Sequence, residues 1–232
     1  MELFLVFIFG SCMASFGFCL AERMMKGEDC ILSSSHCNNC NYKLKAYEKL
    51  PILSFLILKG KCPHCGYQIP IAYPLGEFLM GIMYLFLYQE YQMLVFLILA
   101  FVTLLLLVLS YIDCKTFLLP DILTILLFVM GIFFLWAMDE DIIKGIVEAS
   151  IILVLMIALS LLTKAVCEKE VIGDGDLKLI AVLSLYLGIE RTFLMLLVAC
   201  IFAIIIFLLL KKEQLPFGPI IAFSFFLLLL VA

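Results

Sequence analysis

The chain is written in long apolar runs separated by short polar ones, with little of the three-to-four-residue alternation that marks a helix on a water-facing surface. A helix crosses about 30 Å of hydrocarbon with about 20 apolar residues. By that measure eight segments qualify, at about 3–20, 72–88, 93–112, 119–137, 143–165, 177–189, 192–210 and 216–231. The second carries Glu77 and starts next to prolines, and the sixth is short. The first run lacks the positively charged stretch that opens a secretory signal, because only Met1 and Glu2 precede it, and it is read as a retained membrane helix.

Composition agrees. Of 232 residues 66% are hydrophobic and 15% charged, and the mean hydropathy is +1.23. Such a chain cannot cover a water-soluble domain with polar surface, whereas lipid accepts apolar surface on every side. The expected fold is an all-α polytopic membrane protein of about eight transmembrane helices. A small cytoplasmic segment, about 21–70, lies between helices one and two, and a seven-helix membrane domain covers 71–232. The net charge of −4 gives no footprint for nucleic acid, so the expected partners are the bilayer and whatever the membrane domain acts on.

Charge sets the orientation. Arg23, Lys26, Lys43, Lys45, Lys49, Lys59 and Lys61 lie between the first two helices. Alternating sides from there, Lys115, Lys164, Lys169, Lys178, Lys211 and Lys212 share that face, leaving Lys144 and Arg191 on the other. Cytoplasmic loops carry the basic excess, so the crowded face is expected inside and both termini outside.

The cytoplasmic segment is too short for a large core and needs a staple. Cys37-Asn-Asn-Cys40 and Cys62-Pro-His-Cys65 supply one, as two CxxC knuckles 21 residues apart. Two knuckles complete a tetrahedral thiolate site with Zn–S distances of about 2.3 Å. Disulfides are the other reading, but the reducing cytosol disfavours them. With four protein ligands the zinc is expected to be structural. His36 and His64 adjoin the ligands and are not needed. Cys12, Cys19, Cys30, Cys114, Cys167 and Cys200 share no ligand spacing, and most lie in apolar runs and read as small buried hydrophobes.

Acidic residues beside membrane helices are costly and therefore candidates for function. Asp113 closes the third apolar run, and Asp176 opens the sixth in Gly173-Asp174-Gly175-Asp176-Leu177-Lys178. The expected topology brings both to one boundary. Two carboxyl groups there can divide the roles of acid and base, as an aspartyl protease requires. The two glycines allow positive φ or a close backbone approach, suggesting an irregular turn that presents Asp176. A plain helix N-cap explains the same spacing equally well. Asp121, after Pro120, suits a first helical turn, Asp174 a solvated loop, and Glu77 needs a polar partner.

These residues, in order, resemble the type IV prepilin peptidase family of leader peptidase/N-methyltransferases, which includes the peptidases of competence pseudopilus systems. The resemblance runs from Gly10-Ser11, Ser15-Phe16 and Arg23 through both knuckles, Leu50-Pro51-Ile52-Leu53-Ser54 and Tyr73-Pro74-Leu75-Gly76-Glu77. It continues through Asp113, Leu119-Pro120-Asp121, Gly173 to Asp176 with Lys178, and Pro216-Phe217-Gly218-Pro219. Met24-Met25 after Arg23 departs from the pattern. The resemblance implies an intramembrane aspartyl protease of the Gly-x-Gly-Asp type with a core at about 93–190 and catalytic Asp113 and Asp176. It further implies prepilin or pseudopilin substrates cut after a leader glycine on the cytoplasmic face of the bacterial cytoplasmic membrane. Methylation of the new N-terminus with S-adenosylmethionine is linked with the cytoplasmic segment. The alternatives are a proton- or cation-coupled transporter, which wants midplane carboxylates and repeated halves, and a zinc-ribbon adaptor, which leaves Asp113 and the Gly-x-Gly-Asp run without a role.

Overall fold

A computed structural model describes the chain apart from residues 30–34, 38, 168–172, 212–213 and 231–232. Cys30, Lys169, Lys212 and the side chain of Cys167 thus lie outside the described residues. Cys12, Cys114 and Cys200, expected to be buried, are exposed and Cys19 is half-buried, because an apolar run in a membrane helix has outward faces as well as a packed one. The described residues form helices α1 (Glu2–Lys26), α2 (Leu53–Ile57), α3 (Ala72–Glu90), α4 (Met93–Thr116), α5 (Asp121–Ala137), α6 (Ile142–Cys167), α7 (Asp174–Leu210) and α8 (Gly218–Leu230), with one 3₁₀ turn at Ala46–Lys49. Outside the helices the described residues pair only in isolated bridges, His36 with Lys43 and Lys61 with Gln68. Among the described residues four helices, α1, α4, α6 and α7, are long and apolar enough to cross a membrane, while α5 and α8 are shorter apolar helices. The chain divides into two compact units, Met1–Phe96 and Leu97–Ala232.

In the first unit α1 packs along α3. The buried face of α1 is Gly10, Ser11, Ala14, Gly17, Phe18 and Ala21, and that of α3 is Glu77, Met80, Gly81, Tyr84 and Leu87. Lipid gives apolar side chains no reason to cluster, so small residues that let backbones approach carry such a contact. A Cβ on Gly10 would lie 2.8 Å from the Met80 carbonyl, and one on Gly81 would lie 2.6 Å from the Phe7 ring. α1 runs six residues past the apolar segment and ends on Gly27 in the left-handed region, the conformation that glycine adopts at a helix end.

The second unit is arranged around the first half of α7, whose residues 179–187 are all buried. Gly188 interrupts α7 with φ 73° and ψ 171°. The chain must fold back there. An uninterrupted 37-residue helix would be about 55 Å long, yet Gly218 returns to Asp113, within electrostatic range of Asp176. The eight steps from residue 210 to 218 reach roughly 28 Å at most. The two runs expected at 177–189 and 192–210 are therefore both present. Glu190 and Arg191, expected in a loop, are helical, because the reversal is completed at a single glycine.

Introducing Val at Gly81 should force the Phe7 ring and the Ser11 hydroxyl aside. The expected loss is about 1–3 kcal/mol, read as a lower denaturation midpoint of the detergent-solubilised protein. An unchanged midpoint would mean that α1 and α3 do not depend on this close approach.

Candidate active site and metal centre

Asp113 lies in the last turn of α4 and is 5% exposed. Its Oδ2 accepts a 2.8 Å hydrogen bond from the backbone N–H of Gly218, the first residue of α8. A Cβ at Gly218 would stand 2.9 Å from that oxygen, so only glycine allows this approach. The following Pro219 has no N–H to offer, and the fixed φ of proline suits a helix start.

Asp176 lies in the first turn of α7, half-buried, and its carboxyl group interacts electrostatically with Asp113. Among the described residues it has no hydrogen-bond partner, so the two carboxyl groups are held differently. Gly173 caps α7 in an extended conformation, φ −71° and ψ 143°, and Gly175 is already helical. Positive φ is used at neither glycine, and Asp174, expected in a loop, is the first helical residue. What Gly175 permits is contact: a Cβ there would fall 2.9 Å from that of Leu119. Next to Leu119, Asp121 opens α5 and binds Lys178 Nζ at 2.7 Å on the exposed side, fixing the start of α5 to the start of α7. One end of the second unit thus gathers Asp113, Asp176, Lys178 and the Gly218 amide.

The first unit holds two further clusters. Glu77, 7% exposed within α3, accepts a 2.7 Å hydrogen bond from the N–H of Ile52. Ile52 has φ 60° and ψ −51°, and the Leu53 amide bonds back to Pro51 O at 2.5 Å. This is a γ-turn of the strained sign at a β-branched residue, and Glu77 holds it.

The second cluster is the cysteine quartet. The Sγ atoms of Cys37, Cys40, Cys62 and Cys65 all lie within 4.8 Å of one another, and Cys37 and Cys65 are 3.9 Å apart. Four sulfurs at about 2.3 Å from one tetrahedral ion are about 3.8 Å apart, whereas a disulfide needs about 2.05 Å. All four cysteines are free. Each knuckle closes in the same way, with Cys37 N–H on Tyr42 O and Asn41 N–H on Cys37 O, then Cys62 N–H on Tyr67 O and Gly66 N–H on Cys62 O. Asn41 and Gly66 take the left-handed conformation these turns require. His36 pairs with Glu28 at 3.7 Å and His64 stacks on Tyr42, so neither takes a ligand's place. The Tyr67 backbone N–H and neighbouring groups pull the Cys65 thiol down to about 6. At Cys40 the Tyr42 amide pulls down too, but desolvation and the Cys65, Cys37 and Cys62 thiols outweigh it and push the group up to about 12. Four thiols this close cannot all ionise unaided, and a divalent cation removes that conflict. The quartet is compatible with structural zinc.

The sequence did not reveal what Gly218 and Ile52 do. Both lie in motifs visible along the chain, but their function is carried by backbone N–H groups, which residue types do not report.

A helical chain with four spans apolar enough to cross a membrane, a cysteine quartet in one unit and two interacting carboxyl groups in the other is a polytopic membrane protein. Residues 8–91 match the bacterial peptidase A24 N-terminal domain and residues 98–208 the type IV leader peptidase family. The prepilin leader peptidase/N-methyltransferase of Neisseria gonorrhoeae is 30% identical over 211 residues, covering 87% of this chain and 70% of the relative. The protein of the same description from Dichelobacter nodosus is 34% identical over 205 residues, covering 84% and 70%. That from Aeromonas salmonicida is 34% identical over 212 residues, covering 84% and 70%. No solved structure matches. The chain belongs to the type IV leader peptidase family. With its four long apolar helices, that makes it a peptidase of a bacterial inner membrane.

Proposed function

We propose that this protein is an aspartyl endopeptidase that removes the basic leader of type IV prepilins or pseudopilins, with Asp113 and Asp176 as its catalytic pair. The observation that carries the reading is the neighbouring of these two carboxyl groups, one anchored by the Gly218 amide and one not. In such a pair one carboxylate takes a proton from the attacking water while the other carboxyl group protonates the leaving amine. The anchored Asp113 keeps one oxygen fixed, and the unanchored Asp176 is left to meet water and substrate. Lys178, held by Asp121, and the close contact at Gly175 position the start of α7. Cleavage after the leader glycine, on the face where thirteen of fifteen basic residues are expected, follows from the resemblance and the charge distribution.

The quartet is proposed to hold one zinc ion, with no open coordination position and so no part in hydrolysis. Methylation of the new N-terminus is proposed as a second activity from the match over residues 8–91 and the relatives' names. S-adenosylmethionine would supply the methyl group. Among the described residues, a cleft of about 280 Å³ is lined by the polar side chains of Glu28, His36, Asn41 and Lys43, which offer no apolar face to an adenine ring.

Three outcomes are expected with a synthetic prepilin peptide and mass detection. Asp113→Asn and Asp176→Asn should accumulate in membranes yet leave the peptide at precursor length; normal cleavage by either would remove that residue from the pair. Gly218→Ala should lower kcat at least about tenfold, with KM nearly unchanged, because its methyl group displaces the Asp113 carboxylate and not the substrate. Purified protein should contain one zinc per chain, and Cys62→Ser should lose it together with protease resistance of the segment between α1 and α3. Metal-free protein with that resistance intact would rule the zinc out.

A further inference from the structure

The segment between α1 and α3 carries an apolar face that nothing in the described chain covers. Leu53, Leu56 and Ile57 recur at i, i+3 and i+4 along α2, the spacing of one helical face, and are 56%, 65% and 65% exposed. Leu50, just before the γ-turn, is 45% exposed and extends it. Single surface leucines need no explanation, but a contiguous cluster does. A five-residue helix has no stability of its own in water, and this one offers its broadest apolar side outward.

Two observations say what covers it. The first is depth. The amide of Ile52, one residue before α2, is bonded to Glu77 Oε2 at 2.7 Å. Glu77 lies five residues beyond Ala72, the start of α3, or about 7.5 Å along the helix axis. The strained turn therefore ties α2 beside the opening turns of α3, where exposed Ile71, Leu75 and Phe78 form that helix's own outward stripe.

The second observation is charge. Lys43, Lys45, Lys49, Lys59 and Lys61 are all exposed. Glu48, the one acidic residue between positions 43 and 61, is buried and accepts the Lys45 amide at 2.8 Å. Lys43 shares a cleft with Glu28, but around α2 itself the chain from 44 to 61 exposes Lys45, Lys49, Lys59 and Lys61 and no acid. The start of α3 packs against the last turns of α1, a helix apolar enough to cross a membrane, with the Tyr73 hydroxyl donating to Glu22 at 3.0 Å and Gly76 against the Phe18 ring. An apolar face bordered by lysines and tied to the end of that span suits the boundary between headgroups and acyl chains in a leaflet of anionic lipid.

From this we infer that α2 and the residues flanking it dock on anionic lipid, with Leu53, Leu56 and Ile57 inserted below the phosphates and the lysines paired to them. A basic leader peptide would meet like charge here, which argues against the substrate as occupant.

The test uses the full-length protein with Trp136, its single tryptophan, changed to Phe and with Leu56→Trp as the reporter. It is reconstituted in vesicles of phosphatidylcholine alone or mixed equally with phosphatidylglycerol, with acyl chains brominated near the headgroup. In the mixed vesicles the emission should move to the blue and be quenched about twofold by the brominated lipid. Lys49→Gln, Lys59→Gln and Lys61→Gln combined should reverse most of that quenching. Leu53→Trp, one turn earlier, should behave alike and guards against a local defect of the first reporter. Quenching by aqueous iodide but not by brominated lipid would overturn the inference. So would equal lipid quenching in both vesicles, or shielding from iodide that appears only when prepilin peptide is added. The readout needs no turnover, so the Asp113→Asn protein serves equally and the outcome stands apart from the proposed catalysis.

Discussion

A backbone N–H that leaves a helix in an apolar setting has no water to bond to and must find an acceptor within the protein. Most of this chain meets that demand by being helical. At three places where a helix breaks or begins, a carboxylate from another helix takes the free amide. Glu77 receives Ile52, Asp113 receives Gly218, and Glu148 of α6 receives Ile189 at 3.2 Å just past the reversal at Gly188. The breaks and the acids depend on each other: each turn is tolerable because a carboxylate answers it, and each carboxylate is tolerable because an amide does.

This pairing changes how acidic residues in such helices are read. Cost alone marks all of them as functional candidates, but Glu77 and Glu148 are engaged in holding turns. Asp113 closes the start of α8 and also interacts electrostatically with Asp176. Asp176 differs from the other three because no backbone amide among the described residues engages it. The asymmetry of the pair thus comes from the same rule that shapes the fold.

Much of this was legible beforehand. Apolar runs gave the helices nearly to their ends, including two passes in what is continuous helix but for Gly188, because run length against bilayer thickness is a strong constraint. The quartet was legible because thiolate ligands must be spaced for one ion. The roles of Gly173 and Gly175 were harder: positive φ and close approach are both glycine's uses, and the structure employs only the second, at Gly175. Gly218, Ile52 and Ile189 were out of reach because their contribution is a main-chain hydrogen at the right place, fixed by tertiary packing far along the chain.

The knuckles have a regularity with its own consequence. Cys37, Cys40, Asn41 and Tyr42 correspond to Cys62, Cys65, Gly66 and Tyr67 at a constant offset of 25 positions, and the bridges of His36 with Lys43 and Lys61 with Gln68 keep the same offset. Such correspondence is what tandem duplication of one short hairpin would leave behind. Each copy supplies half of the clasp, so the stretch between them is a finger fastened at its base. The finger is fastened a second time at Ile52, whose amide Glu77 holds, so the clasp and the turn together fix both its base and its tip.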